Sequence, residues 1–214
     1  MKYLKDYRLF ENNQFPTDHE EIRKICQKYG IKNYTVNTDG TVDVDGDVDL
    51  NGQSLSKLPL KFGKVFGFFL CSSNQLTSLE GAPKAVGKSF NCTANKLTSL
   101  RGAPLNVPGD FGCQMNKLTS LEGSPEKVVG GFTCYMNNLI TLEGAPKKVG
   151  GNFYCSMNPA QIFSIIFQTK ENLLKSLEYN YFAGGNKIHE SRFVRACDDL
   201  GITAPDQIKG YVWV

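Results

Sequence analysis

Phe90-Asn91-Cys92-Thr93-Ala94-Asn95-Lys96-Leu97-Thr98-Ser99-Leu100, followed by Arg101-Gly102-Ala103-Pro104 and Val107, is one copy of a frame that recurs every 21 residues. Cys71, Cys92, Cys113, Cys134 and Cys155 mark successive copies. Self-similarity at a period of 20 to 30 residues is the sequence signature of a solenoid, in which each repeat is one coil that buries its apolar face only by stacking on its neighbours.

Aligning on the cysteine produces columns that run through the middle of the chain. Phenylalanine occupies 69, 90, 111, 132 and 153, and asparagine 74, 95, 116, 137 and 158. Two leucine columns and a valine column (Val65, Val86, Val107, Val128, Val149) complete the inward set. Val48, Leu50, Leu55 and Leu58 stand where Phe69, Cys71, Leu76 and Leu79 stand one coil later, so the solenoid is expected to begin near residue 47. Phe-x-Cys has the period-2 spacing of a strand, which points both side chains inward and predicts a parallel sheet across the coils. Asparagine three positions after the cysteine suits the turn leaving that strand. Gly-Ala-Pro at 81–83, 102–104 and 144–146 leaves no room for a long helix on the returning side, which is expected to be extended or built of tight turns.

The string Phe-x-Cys-x-x-Asn-x-Leu resembles the leucine-rich-repeat frame Leu-x-Leu-x-x-Asn-x-Leu, in the short-repeat form found in bacterial effector proteins. That resemblance covers residues 47–158 and implies a parallel sheet on a concave face that binds protein. The Asp-Val-Asp-Gly-Asp-Val stretch before the repeats and the Ile-Lys-Gly-Tyr stretch near the end resemble uncharacterised repeat proteins of tailed bacteriophages. This second resemblance implies an inhibitor or adaptor of a host protein, in the host cytoplasm. The expected fold is thus an α/β repeat protein: an N-terminal helix and β-hairpin cap over 1–46, an LRR-like solenoid over 47–158, and a C-terminal helical cap over 159–214.

The flanks carry their own signals. Thr17-Asp18-His19-Glu20 has capping-box spacing, Ile22, Ile25, Cys26 and Tyr29 mark an amphipathic helix, and Gly30 stops it. Tyr34 to Val36, the Asp39-Gly40 turn and Thr41 to Val44 predict a hairpin. Asp43, Asp45, Asp47 and Asp49 alternate with Val44, Gly46 and Val48 in a way that invites comparison with a calcium loop. With Gly46 at the sixth position, however, Thr41 and Gly52 fall where the loop needs acidic ligands. Alternation instead sends the aspartates outward from a strand. Beyond Asn158, the segments 159–168, 170–179 and 190–200 are expected to be helices, with Tyr211 to Val214 a terminal strand or packed tail.

Composition excludes few functions. The 214 residues are 41% hydrophobic and 21% charged, and carry a net charge of +3, ordinary values for one or two globular domains. The apolar runs Val65 to Cys71 and Ile162 to Phe167 fall short of a membrane span, and the first ten residues lack an apolar signal core, so a cytoplasmic protein is expected. Seven cysteines, five of them at one repeat position, read as a packing ladder in place of a disulfide framework, and no metal or other cofactor is expected. Residues 55–158 hold 11 basic and 5 acidic side chains, a mild surplus that includes Lys84, Lys96, Lys117, Lys147 and Lys148. Nucleic-acid binding is a lesser expectation on that ground.

Function is expected on the residues flanking the inward pair. One outward column reads Gly52, Ser73, Ala94, Met115, Met136, Met157; beside it run Leu70 to Tyr154 and Ser72 to Tyr135. Methionine and tyrosine are favoured at interface cores, so Leu70, Met115, Tyr135, Met136, Tyr154 and Met157 are the expected partner-binding residues of a non-enzymatic module. The competing enzyme reading rests on the effector resemblance. Those effectors carry ubiquitin-ligase domains with a Cys-x-Asp nucleophile, which Cys197-Asp198-Asp199 resembles, although the tail is several times shorter than such a domain.

Overall fold

The structure, a computed structural model, describes residues 15–140 and 142–155 in full, and the strands at 183–184, 187–188 and 212–213. The repeats form a parallel β-solenoid. Each coil contributes two short strands, and the strands stack into separate ladders. The phenylalanine ladder is a six-stranded parallel sheet built from Val48–Asp49, Phe69–Leu70, Phe90–Asn91, Phe111–Gly112, Phe132–Thr133 and Phe153–Tyr154. Register follows the sequence period, with Phe69 opposite Phe90 and Phe90 opposite Phe111.

The valine column makes the second wall. Val42–Val44, Phe62–Val65 and Ala85–Val86 pair in parallel on one stretch, and Asn106–Val107, Lys127–Val128 and Lys148–Val149 on the next. The returning side is therefore extended, and orders into strands because β-branched valine packs well on a pleated surface. Parallel stacking begins at Val42, since that strand pairs with Tyr34–Val36 antiparallel on one side and with Phe62–Val65 on the other.

Between the two walls lies one continuous core. The rings of Phe69, Phe90, Phe111, Phe132 and Phe153 stack with centroids 5.2–5.3 Å apart and planes within 17° of parallel. Such offset stacks add to the area that the rings bury. Cys71, Cys92, Cys113, Cys134 and Cys155 line up beside the rings, all buried and none in a disulfide.

A ladder of buried asparagines ties coil to coil. Asn95 Nδ2 donates to the carbonyl of Cys71 in the preceding coil (2.9 Å) and to that of Cys92 in its own (3.0 Å). Its Oδ1 accepts the backbone N–H of Leu76 at 2.9 Å. Asn74, Asn116 and Asn137 repeat the pattern. The asparagine column thus does more than shape a turn. It satisfies backbone groups of two coils at once, which a buried turn requires.

At the corner between the two walls, glycine is required by close approach. A Cβ on Gly87 would overlap the carbonyl of Phe66 one coil earlier, and a Cβ on Gly150 that of Val129. Neither glycine needs an unusual backbone angle; it is the coil-to-coil distance that excludes a side chain.

The N-terminal helix, α1, spans His19–Lys28. Its N-cap is Asp18, one residue later than the capping-box reading placed it, and Asp18 Oδ1 accepts the N–H of Glu21 at 2.9 Å. Ile22 and Cys26 are fully buried and join the same core as Val42 and Val44. Gly30 ends the helix region at φ +65°. The acidic stretch that follows the hairpin faces outward, and its carboxylates serve the backbone: Asp43 accepts the N–H of Lys64 and Asp47 that of Phe68, both one coil on.

The expected C-terminal helices at 159–168, 170–179 and 190–200 lie outside the described residues. Of the tail, Ala183–Gly184 and Lys187–Ile188 form an antiparallel pair, and Val212–Trp213 adds to it in parallel. The terminal strand was one of the two sequence expectations for 211–214; the pair at 183–188 was not anticipated. Among the described residues no helix is long and apolar enough to cross a membrane.

Candidate functional site

The outward columns of the six-stranded sheet are set by strand alternation, and the structure places them as a band along the solenoid. The position between phenylalanine and cysteine reads Asp49, Leu70, Asn91, Gly112, Thr133, Tyr154; the position after the cysteine reads Asn51, Ser72, Thr93, Gln114, Tyr135. Next comes the column of Gly52, Ser73, Ala94, Met115 and Met136. Among these described residues one side chain, Asp49, is charged. Depletion of charge with enrichment of Tyr and Met is the compositional mark of an interface core, whereas an ordinary solvated face carries many charges.

Exposure divides the expected residues. Met115 is 45%, Met136 41% and Tyr154 49% exposed. Leu70 and Tyr135 are half-buried, so they face outward with less free surface than alternation alone suggests. Met157 lies outside the described residues. Gly112 is fully buried because its neighbours lean over it: Asn91, Thr93 and Gln114 place side-chain oxygens 3.0–3.2 Å from where its Cβ would be. Thr133 donates to Gln114 Oε1 at 2.7 Å. The band therefore grades from short polar groups in the early coils to Met and Tyr in the later ones.

The methionine column has a feature that periodicity does not reveal. Ser73, Ala94, Met115 and Met136 all adopt left-handed backbone angles, φ 53–56°, and Gly52 takes φ 64° in the first coil. The left-handed turn swings the chain back so that the next residue, asparagine, aims its amide into the core at the carbonyl of the cysteine. For residues with a Cβ this conformation costs roughly 1–2 kcal/mol, and glycine is the unstrained choice. Two methionines stand at exposed positions where glycine would relieve strain. Strain of this kind concentrates at functional positions.

Borders frame the band. Two residues beyond Met115 lies Lys117, stacked on Lys96 of the preceding coil, both exposed. Lys96 Nζ donates to Gln75 Oε1 at 3.0 Å, and no carboxylate of the described residues lies within ion-pair distance of either lysine. The opposite border carries Asp47 and Asp110, each accepting a backbone N–H of the next coil. Of the remaining lysines in the nucleic-acid expectation, Lys147 pairs with Glu126 at 3.0 Å, and Lys148 lies on the valine wall. The five are split between two sides and form no single track.

The cysteine ladder is chemically muted. Burial pushes the thiols of Cys71, Cys92, Cys113 and Cys134 far above their ordinary range. Cys92 and Cys113 turn their Sγ–H toward the carbonyls of Gly112 and Thr133, 3.3 and 3.4 Å away. Outside the ladder, burial raises Cys26 to about 11, opposed by a hydrogen bond with Tyr34. The thiolate is the reactive form, so such groups are poor nucleophiles and poor ligands. Among the described residues no three His, Cys, Asp or Glu side chains are placed to hold a metal ion. Cys197 lies outside the described residues. Comparison with family models, curated proteins and solved structures gave no match.

Proposed function

We propose that this is a non-enzymatic protein-binding module whose partner seats on the charge-poor band, with Met115, Met136 and Tyr154 as its exposed anchors and Leu70 and Tyr135 as supporting surface. Met157 follows Met136 by one 21-residue period in the sequence and belongs to the same proposed set. The reading keeps the LRR-like description of the solenoid, with the helix α1 and its hairpin capping one end, and an inhibitor or adaptor of a host protein as its biological form. The observation that carries it is the conjunction at Met115 and Met136 of exposure, left-handed backbone and a place in a band whose one charged side chain among the described residues, Asp49, lies coils away. Large flexible side chains kept where glycine is easier are explained by what they touch outside the chain.

The test uses Met115→Gly with Met136→Gly. Relief of about 1–2 kcal/mol of strain per site offsets glycine's entropic cost of roughly 0.5–1 kcal/mol and some lost contact area. The melting temperature is therefore expected to stay near that of the wild type. Affinity capture from the native cell should then recover a partner on the wild-type chain and lose it on the variant. Equal recovery on both would refute the reading.

A further inference from the structure

Resting on that reading, the borders of the band identify the chemistry of the partner. In two other columns of the solenoid, neighbouring coils pair opposite charges: Arg101 with Glu122, and Lys147 with Glu126. Lys96 and Lys117 do the reverse. They stack at the same repeat position, one strand spacing or about 4.8 Å apart at the backbone, and like charges so placed repel. They flank the band at the coils of Ala94 and Met115, with the buried amides of Asn95 and Asn116 fixing the chain between.

We infer that the partner is a protein segment that sets an acidic side chain against Lys96 and Lys117 while an adjacent apolar side chain packs on Met115 and Met136. A carboxylate between the two lysines removes their repulsion, and the apolar neighbour covers the methionines. Rim charges of this sort set partner choice and association rate more than total affinity. A phosphate backbone fits less well, because its charges continue at regular intervals, whereas here the cations stop after two coils and the band beside them offers no further cation. Lys127 and Lys148 form a second stacked pair, but on the valine wall, away from the band. They supply an internal control.

The probe is a set of linear peptides selected by display from a random library on the full chain. Recovered sequences should join Asp or Glu to a large apolar residue within about two positions, since an extended chain advances only about 3.3 Å per residue. Their binding should weaken at least tenfold in Lys96→Glu/Lys117→Glu, weaken with added salt, and stay unchanged in Lys127→Glu/Lys148→Glu. Recovery of no peptides, recovery of basic or uncharged ones, or equal binding to the Lys96/Lys117 variant would overturn the acidic partner. If such peptides still lose binding to Met115→Gly/Met136→Gly, the band remains the site and only the inferred chemistry fails. Peptides indifferent to both variants would remove the site as well. Random-sequence single-stranded RNA that displaces the peptides and itself depends on Lys96 and Lys117 would assign the border to nucleic acid and refute the inference.

Discussion

Replacing Asn116 by alanine tests the asparagine ladder at its centre. The side chain makes one acceptor bond, to the N–H of Leu97 at 2.9 Å, and donates to the carbonyls of Cys92 and Cys113, each at 3.1 Å, with a longer shared contact to that of Gln114 at 3.3 Å. These losses are unequal. The carbonyl of Cys92 keeps Asn95, and that of Cys113 keeps Asn137, so alanine leaves each with one partner. Leu97 N–H, by contrast, has Asn116 alone among the bonds described for it, and becomes an orphan in the core. An orphaned buried donor costs roughly 1–3 kcal/mol, and each lost donor bond about 0.5–1.5 kcal/mol. The expected loss is therefore about 2–6 kcal/mol, with the orphaned amide the largest single part. Urea unfolding followed by circular dichroism measures the total, and hydrogen exchange at Leu97 measures the local part. Asn138→Ala, at an exposed site one coil on, is the control and should cost little. Aspartate at 116 adds a sign. It retains an acceptor for Leu97 but turns a carboxylate toward two carbonyls, so its folded pKa rises above about 3.9. That penalty is absent at low pH and grows as pH rises past the unfolded pKa, so Asn116→Asp should be closer to wild type at pH 4 than at pH 7. A loss below about 1 kcal/mol for Asn116→Ala, with unchanged exchange at Leu97, would refute the argument that the amide bridges the coils.

Two other perturbations follow from the same geometry. The buried thiols with raised pKa (Cys26, Cys71, Cys92, Cys113 and Cys134) stay protonated in the folded chain while their unfolded counterparts ionise. Stability is thus complete below about pH 8.5 and falls above it, at about 1.4 kcal/mol per thiol for each pH unit until the folded pKa is reached. Urea midpoints measured from pH 7 to 10 should drop steeply, and Cys113→Ala should flatten the slope; a pH-independent midpoint would contradict the burial. Gly87→Ala drives a Cβ into the Phe66 carbonyl and is expected to cost about 1–3 kcal/mol by overpacking. Gly52→Ala meets no atom within 4 Å and strains only its left-handed backbone, for roughly 1–2 kcal/mol. Thermal melts of the two, with a Gly87→Ala structure showing displaced coils, separate crowding from strain.

The period made the solenoid legible because a column of Phe or Cys names both the strand and the face that it buries. Register followed without further information: Phe69 opposite Phe90 is the 21-residue spacing restated in space. The same alternation located the outward columns that form the band. What it did not disclose was conformational. Left-handed angles at Ala94 and Met115 carry no compositional signal, since neither is glycine or asparagine, the types that usually announce them, and the asparagine of each coil stands one place later. The purpose of the asparagine column was half-readable: a turn residue, yes, but its hydrogen bonds run to a coil 24 residues away in sequence as well as to its own. The returning side was expected to be extended or built of tight turns, and its valines became sheet only because neighbouring coils align them. The N-cap moved by one residue because Asp18 with Glu21 satisfies the same spacing as Thr17 with Glu20.

Every interface between coils is nearly the same interface, ring on ring and amide on carbonyl, so nothing in the stack records how many coils there are. Excising residues 90–110 would bring Phe111 onto Phe69 and Asn116 onto Cys71 with the existing contacts re-formed. Length is then a free parameter of this architecture, open to drift by duplication and deletion in units of one coil. The outward band has no such indifference: losing a coil would slide Met115 and Met136 toward Leu70 and redraw the surface. The stack itself imposes no count, so under the proposed function the number of coils is set by what the band must touch.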